Sequence, residues 1–494
     1  MRSRVQRHLA SIVPDLFEDR SPAVAFLASA GSIEPGEERP VLPPEFNWRD
    51  YTVMLLHVAA EIEHSLMVQY LFAAYSMGGP QVPRELRDDV REWQEVVLGV
   101  AKEEMGHLVT VQNLLTALGG PINLDREDYP WGSDFYPFPF TLRPFSLDSL
   151  ATYVVAESPG SWSGPEADEI KKRAAETASQ YVNRVGQLYE RIDRILENRD
   201  FLPDEAFHAD TLPYQASWDE WGRGYTRGQR GREAGNLPNV KSPELLVFGV
   251  FSRDSARKAL REIGEQGEAL GNQGTTGDQG AAEETSHFNR FLGIYRALKA
   301  LSPQQQALVA RPVAENPVTV KRLNESEIVG YAAAEVTTSP ITDPVTALWG
   351  HLFNLRYRML LADISHAFLL AGPVDNGGVL TGRGALVHRA FAEMYNLRAL
   401  AGRLVERPLE AKAPDGLRAG PPFEMPYSLE LPHHDHDRWL LQRDLVQASR
   451  LLTAQLADTD PDGPADPYLV ALREADQRAL DQIGHVLERK GCTS

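Results

Sequence analysis

The chain has 494 residues, 43% of them hydrophobic, with a formal net charge of −19 and a pI of about 5.2. That length predicts two or more domains, and the acidic balance argues against nucleic acid and anionic membranes as main partners, because both bind basic surfaces. The single cysteine, Cys492, excludes an internal disulfide and a cysteine-rich metal site. No apolar run reaches the 18 residues of a membrane helix, and no signal-peptide core follows the N-terminus, so we expect a cytoplasmic protein.

Helical patterns separated by Gly/Pro clusters predict an all-α protein with two helical domains in series. The predicted divisions are an N-terminal arm at 1–47, a first domain at 48–301, a linker at 302–344 and a C-terminal helical domain at 345–494.

Apolar residues recur every three or four positions along ten segments, which predicts ten helices. Those of the first domain are 50–77, 84–118, 146–157, 166–198, 252–270 and 281–301. Those of the second are 345–370, 385–405, 437–457 and 466–490. The Pro-rich and aromatic segments 125–144 and 199–247 and the Gly-rich segment 271–280 are predicted as loops.

Carboxylates and imidazoles recur inside the apolar stripes of the first domain, where an unpaired charge costs several kcal/mol to bury. Two Glu-x-x-His pairs are among them, and residues three apart share one side of a helix. The inward-facing set is Glu63, Glu104, His107, Glu157, Glu284 and His287.

This pattern matches the di-metal site of helix bundles, in which two helices give one Glu each and two give a Glu-x-x-His pair. A divalent cation would offset the burial of several carboxylates and would explain the imidazoles. The alternative is a set of buried salt bridges, or helix ends misplaced by one turn. Few inward Lys or Arg are available as partners, so we favour the metal site.

Two further polar groups are interpreted as surface. His57, Glu61 and His64 line the opposite face of the first helix, which is typical of a solvated polar face. The run His433–Asp437 lies in a Pro-flanked loop before a helix, where Asp435 or Asp437 would cap that helix.

The choice between neighbouring acids follows from helix phase. Glu190 faces away from the apolar stripe of helix 166–198, so Glu157 is preferred as a ligand. Glu268 lies closer than Glu265 to the apolar face of helix 252–270 and joins the candidate ligands. Tyr70, on the face that carries Glu63, is a candidate to support a ligand, and a core tyrosine is the alternative.

Several strings of the first domain stand in a specific order: HVAAEIEHSLMVQYLFAAYS, AKEEMGHLVTVQNLLTALGGP, YVVAESP, EQGEA and SHFNRF. This succession, over roughly residues 50–300, resembles the ferritin-like domain of the iminophenyl-pyruvate dimer synthase family, which includes enzymes of the violacein and rebeccamycin pathways. The later AGPPFEMP (419–426) is similar as well.

The resemblance implies a ferritin-like four-helix bundle at 48–301 and an oxidative step in secondary metabolism. Members of the family couple two imines derived from an aromatic amino acid. The matching metal positions are Glu63, Glu104, His107, Glu157, Glu268 and His287. The chain departs from the family at Ala269, where Gly is usual, and at Gln187, where Glu is frequent, and the pathway enzymes are much longer. The resemblance therefore supports the fold and the metal site more strongly than it supports the substrate.

The resulting hypothesis is an O₂-dependent di-iron oxidoreductase acting on an amino-acid-derived small molecule, with loops 199–247 and 271–280 closing over it. Two non-haem irons are the expected cofactor, and haem or manganese stays an alternative. A homodimer and a partner amino-acid oxidase are candidate associations. Iron storage and a non-catalytic scaffold are the alternative functions.

Overall fold

The computed structural model describes residues 40, 42–126, 137–178, 182–221, 247–268, 286–319, 338–425, 429–461, 463 and 466–491. The chain divides into two compact units, Met1–Ala310 and Arg311–Ser494. Both are built of helices, which confirms the prediction of an all-α protein with two helical regions. Among the described residues, no helix is both long and apolar enough to cross a membrane.

The first unit contains nine described α-helices: α1 (Trp48–Ser76), α2 (Arg87–Ala117), α3 (Leu147–Ala156), α4 (Pro165–Ala178), α5 (Gly186–Glu197), α6 (Trp218–Trp221), α7 (Arg253–Glu268), α8 (His287–Lys299) and α9 (Pro303–Leu308). Short 3₁₀ turns lie at Arg84–Leu86, Asp204–Ala206 and Ala209–Tyr214. The long helices α1 and α2 pack along each other, α3 packs against α4 and α8, and α5 lies between α1 and α7.

The ends of the first helices follow local chemistry. Asn47 caps α1 by accepting from the Asp50 N–H, and Ser146 and Ser149 form the capping box of α3. Beyond α2, Gly119 has a φ of +66°, a backbone conformation that favours glycine in this turn. These signals are local, which is why the predicted bounds of α1, α2 and α3 lie close to the observed ones.

The prediction of one helix over 166–198 is wrong. The segment forms α4 and α5, and residues 182–185 between them are not helical. There the backbone bonds to other segments: the Asn183 N–H donates to the Pro137 carbonyl at 2.7 Å and the Val185 N–H to the Ala156 carbonyl at 3.0 Å. The apolar stripe continues across the break, so periodicity alone does not reveal it.

The interpretation of His57, Glu61 and His64 as a solvated face is also wrong, since their exposed fractions are 7%, 0% and 0%. The segment after α2 covers them, and the Asn123 amide donates to Glu61 Oε1 at 3.2 Å. Burial, with the nearby Arg126 charge, lowers the pKa of His64 to about 3. The polar face of α1 therefore meets a second polar segment rather than water.

Other predicted segments are partly outside the described residues. These are 127–136 and 222–246 of the two aromatic loops, and the whole of 271–280. The described helix that carries His287 begins at that residue, with Ser286 as its N-cap, and residues 281–285 of the predicted helix lie outside the described residues. The described part of 302–344 contains α9 and two strands, β1 (Pro317–Val318) and β2 (Ser339–Pro340), which pair in parallel.

The second unit is a group of four long helices, α10 (Pro344–Ala367), α11 (Gly382–Leu404), α12 (Asp435–Thr459) and α13 (Pro467–Gly491). An antiparallel strand pair, β3 (Asp375–Asn376) and β4 (Val379–Leu380), joins α10 to α11. His433 and His434 are exposed as predicted. The prediction that Asp435 or Asp437 caps the next helix is wrong, because α12 begins at Asp435 with His434 at the N-cap position and no side-chain cap.

A buried arginine side chain forms hydrogen bonds that connect these four helices. Arg356 of α10 is 2% exposed and donates to Glu393 of α11 at 2.8 Å, to Ser449 of α12 at 2.7 Å and to Asp476 of α13 at 2.5 Å. Each partner comes from a different helix, so a single guanidinium fixes the relative positions of all four.

Candidate metal centre

Five of the seven predicted ligands meet in one buried cluster in the first unit. They form two groups, Glu63 with Glu104 and His107, and Glu104 with Glu157 and His287, and within each group the ligand atoms lie within 4.8 Å of one another. Glu104 belongs to both groups. The cluster is therefore two adjacent groups of three candidate ligands that share one carboxylate.

The ligands reach the cluster from three kinds of helix position. Glu63 lies in the middle of α1, and Glu104 and His107 lie one turn apart on α2. Glu157 is the C-cap of α3, and His287 is the first residue of α8. Four helices thus contribute to one small volume, as in the carboxylate sites of helix bundles.

His107 presents its two ring nitrogens to different surroundings. Its Nδ1 lies 2.9 Å from Glu104 Oε2 and 3.3 Å from Glu63 Oε2. Its Nε2 lies 2.9 Å from Gln266 Oε1 on α7. A neutral imidazole with its proton on Nε2 would donate to Gln266 and leave the Nδ1 lone pair for a metal.

His287 repeats the arrangement. Its Nδ1 lies 2.9 Å from Glu104 Oε1 and 3.7 Å from Glu157 Oε2, and its Nε2 lies 3.0 Å from Glu103 Oε2. Glu103 is itself paired with Arg290 of α8. Burial acts to raise the pKa of the Glu103 carboxyl. The nearby Arg290 and His287 outweigh burial and hold that pKa below its ordinary value.

The donor set fits divalent metal ions. The Nδ1 of His287 and the Oε1 of Glu104 are buried and lie 2.9 Å apart, and neither atom has a hydrogen-bond partner of good geometry among the described residues. The described residues leave a cavity of about 20 Å³ beside Glu63, Glu104 and Glu157. Carboxylate and imidazole donors suit iron, manganese and zinc, and a cation there would offset the burial of the acids.

Without a metal, the cluster holds protons instead. Burial, together with the charge of Glu104, raises the pKa of Glu63 to about 8. Burial opposes the charged form of His107, but Glu104 and Glu63 outweigh it and raise its pKa to about 10. Because a metal binds the deprotonated ligands, metal binding at neutral pH would displace these protons.

Two buried phenols hold the outer carboxylates. Tyr70 of α1 donates to Glu157 Oε1 at 2.6 Å, and Tyr189 of α5 donates to Glu63 Oε1. The stripe pattern pointed to Tyr70. The apolar periodicity of segment 166–198 includes Leu188 and does not single out its neighbour Tyr189.

The remaining predicted residues are placed differently. The side chain of Glu268 and the whole of Glu284 lie outside the described residues. Glu265 is exposed and Glu190 is partly exposed, and neither belongs to a ligand group. Sequence reasoning missed Glu103 and Gln266, although Gln266 lies in the string EQGEA between the two candidate acids Glu265 and Glu268.

The placement of Glu157 gives a direct test. Replacing Glu157 by Ala is expected to remove most of the metal held with His287, because that group would keep only two of its three ligands. Glu190→Ala on α5 is the matched control and should keep the wild-type metal content. Metal analysis of both proteins after identical loading decides, and loss of metal in Glu190→Ala alone would reverse the assignment.

Comparison with known proteins supports the fold. Residues 56–296 match the family model described as ferritin-like. A solved ferritin-like protein from Caulobacter vibrioides is 14% identical and aligns over 74% of this chain and 98% of its own with a TM-score of 0.39, which is too low to establish a shared fold by itself.

Two curated relatives are similar over longer stretches. One is named dichlorochromopyrrolate synthase, from Lentzea aerocolonigenes, and is 28% identical over 80% of this chain and 37% of its own length. The other is named 2-imino-3-(indol-3-yl)propanoate dimerase, from Chromobacterium violaceum, and is 32% identical over 53% of this chain and 24% of its own length. The chain thus spans well under half the length of either relative. These similarities confirm the resemblance seen in the motifs, and residues 56–296 of this chain match the ferritin-like family model.

Proposed function

We propose that this chain is an O₂-dependent oxidase of small-molecule biosynthesis whose ferritin-like domain holds two non-haem iron ions. The observation that carries the proposal is the pair of buried three-ligand groups sharing Glu104. Iron bound there would supply the binding and reduction of O₂. The names of the two relatives, a synthase and a dimerase, support an enzyme rather than a storage protein.

The protein's own residues would bind and orient the ions. Glu104, which belongs to both groups, would help to hold both ions, while Glu63 and Glu157 would each help to hold one. The hydrogen bonds from Tyr189 and Tyr70 hold these two outer carboxylates in place, as ordered outer partners do at metal sites. Burial of all these groups keeps bulk water out, which favours oxidation of a bound substrate over side reactions.

We propose an amino-acid-derived imine as the substrate class. The name of the Chromobacterium violaceum relative specifies an indolyl imino acid. Aromatic rings also lie close to the cluster, with Tyr70 at 4.9 Å from Phe291 and 4.7 Å from Tyr153 between ring centroids. An amino-acid oxidase would generate such an imine, and oxidative coupling of two imines would pass the released electrons to O₂.

Iron content and oxygen uptake test this function. Purified protein loaded with Fe²⁺ without air should hold about two ions per chain, the number that helix-bundle carboxylate sites bind. Oxygen uptake should be slow alone and should rise when an amino-acid oxidase supplies the imine of indole-3-pyruvate or phenylpyruvate.

Three results would contradict the proposal in different ways. No bound transition metal under any loading condition would leave the buried salt bridges as the explanation. A strong Soret band would indicate haem. Steady growth of ferric mineral without substrate would indicate iron storage.

A further inference from the structure

The two proposed metal positions have the same inner arrangement. Each combines an outer glutamate, the shared Glu104 and a histidine that presents Nδ1. In each, a tyrosine donates to the outer glutamate, as the pairs Tyr189–Glu63 and Tyr70–Glu157 show. On these grounds alone the two ions would be bound equally.

The positions differ behind the histidines. The Nε2 of His107 faces the neutral amide oxygen of Gln266, whereas the Nε2 of His287 faces the carboxylate of Glu103. Glu103 is 3% exposed, and its contact with the Arg290 guanidinium keeps it oriented toward His287. One imidazole is therefore backed by a carboxylate that is ion-paired with Arg290, and the other by a neutral amide.

A carboxylate that accepts the Nε2–H draws the proton toward itself and increases the electron density on Nδ1, so the imidazole becomes a stronger ligand. A hydrogen bond to a charged acceptor is also roughly twice as strong as one to a neutral acceptor, which fixes the ring more firmly. Both effects favour the ion bound by His287.

We propose that the two metal positions are unequal, with the Glu104–Glu157–His287 position binding its ion more tightly than the Glu63–Glu104–His107 position. The difference is set by Glu103 and Gln266, which act through the histidines as positioning residues. This inference rests on the proposed metal binding. An ion at the Glu63–Glu104–His107 position would therefore exchange more readily than an ion at the Glu104–Glu157–His287 position.

The test is a Co²⁺ titration of metal-free protein, followed by equilibrium dialysis and by the visible absorption of bound Co²⁺, with no measurement of activity. Wild-type protein should bind in two steps with dissociation constants about 10–100-fold apart, the range over which outer partners change metal affinity. His107→Ala should retain the tighter step and His287→Ala the weaker one.

Two isosteric exchanges address the cause directly. Glu103→Gln should weaken the tighter step by about 10–100-fold, and Gln266→Glu should strengthen the weaker step by a similar factor. Arg290→Gln is the matched control, because it breaks the same ion pair as Glu103→Gln but leaves the carboxylate behind His287. The tighter step should survive in Arg290→Gln.

The outcomes separate this inference from the proposed function. Two Co²⁺ ions bound with equal affinity, or a titration unchanged by Glu103→Gln, would overturn the inequality and leave the two-metal site standing. Weakening of the tighter step to the same extent in Glu103→Gln and Arg290→Gln would assign the effect to the ion pair and overturn the role of the carboxylate. No Co²⁺ binding at all would overturn both the inequality and the proposed metal site.

Discussion

Glu104→Ala is expected to lose both metal ions, whereas Glu63→Ala is expected to lose mainly one. Glu104 is the ligand common to both groups, with Oε2 facing His107 and Oε1 facing His287. Its removal leaves two ligands at each position, fewer than the three protein ligands that hold a reactive metal. Glu63 serves the His107 side alone.

Metal analysis after iron loading measures this difference, with far-UV circular dichroism to verify that the helices persist. Asp88→Ala, an exposed acid on the same helix, is the control and should match wild type. If Glu104→Ala still held one ion per chain, Glu104 could not be an essential ligand of both groups, and the assignment of a shared carboxylate would be wrong.

The second large effect is expected in the second unit. Arg356→Met should destabilise the four helices by about 3–5 kcal/mol, because the loss of one partner from a buried ion pair costs that much stability. The substitution keeps the volume of the side chain but leaves Glu393 and Asp476 buried without their guanidinium. Hydrogen exchange of the α10 backbone amides reports on this unit specifically and should accelerate strongly.

A compensated variant separates lost charge balance from lost packing. Replacing Arg356 by Met and both Glu393 and Asp476 by Leu removes all three charges, and this triple variant should recover most of the protection, because apolar replacement of a whole buried ion cluster is often neutral or stabilising. Unchanged exchange in Arg356→Met alone would show that the guanidinium does not hold the helices together.

What sequence predicts well is what neighbouring residues determine. The Gly-Gly-Pro clusters after α1 and α2, the Ser146 cap and the spacing of Glu104 and His107 all act within one or two helical turns. The apolar stripe of the short helix also pointed to Glu157 rather than Glu190. In the structure the Glu157 carboxylate lies close to Glu104 and His287, and its role as a metal ligand stays a prediction.

The features that the sequence does not predict depend on contacts between residues that are distant in the chain. Glu103 follows Lys102 and precedes a ligand, so its type and spacing give no sign that α8 brings His287 and Arg290 against it. The break between α4 and α5 likewise depends on hydrogen bonds to Pro137 and Ala156. A periodic pattern contains neither kind of information.

The order of the ligands along the chain bears on how the domain is assembled. His107 and Glu63 are 44 residues apart, within one helical hairpin, whereas His287 lies 184 residues beyond Glu103. The longer loop costs more conformational entropy to close, and chains emerge from the ribosome N-terminus first. We therefore expect the three candidate ligands of the His107 side, Glu63, Glu104 and His107, to come together before those of the His287 side during synthesis. A nascent chain that has made only α1 and α2 would then hold at most a single, loosely bound ion, and the reactive pair would form only once α8 has docked.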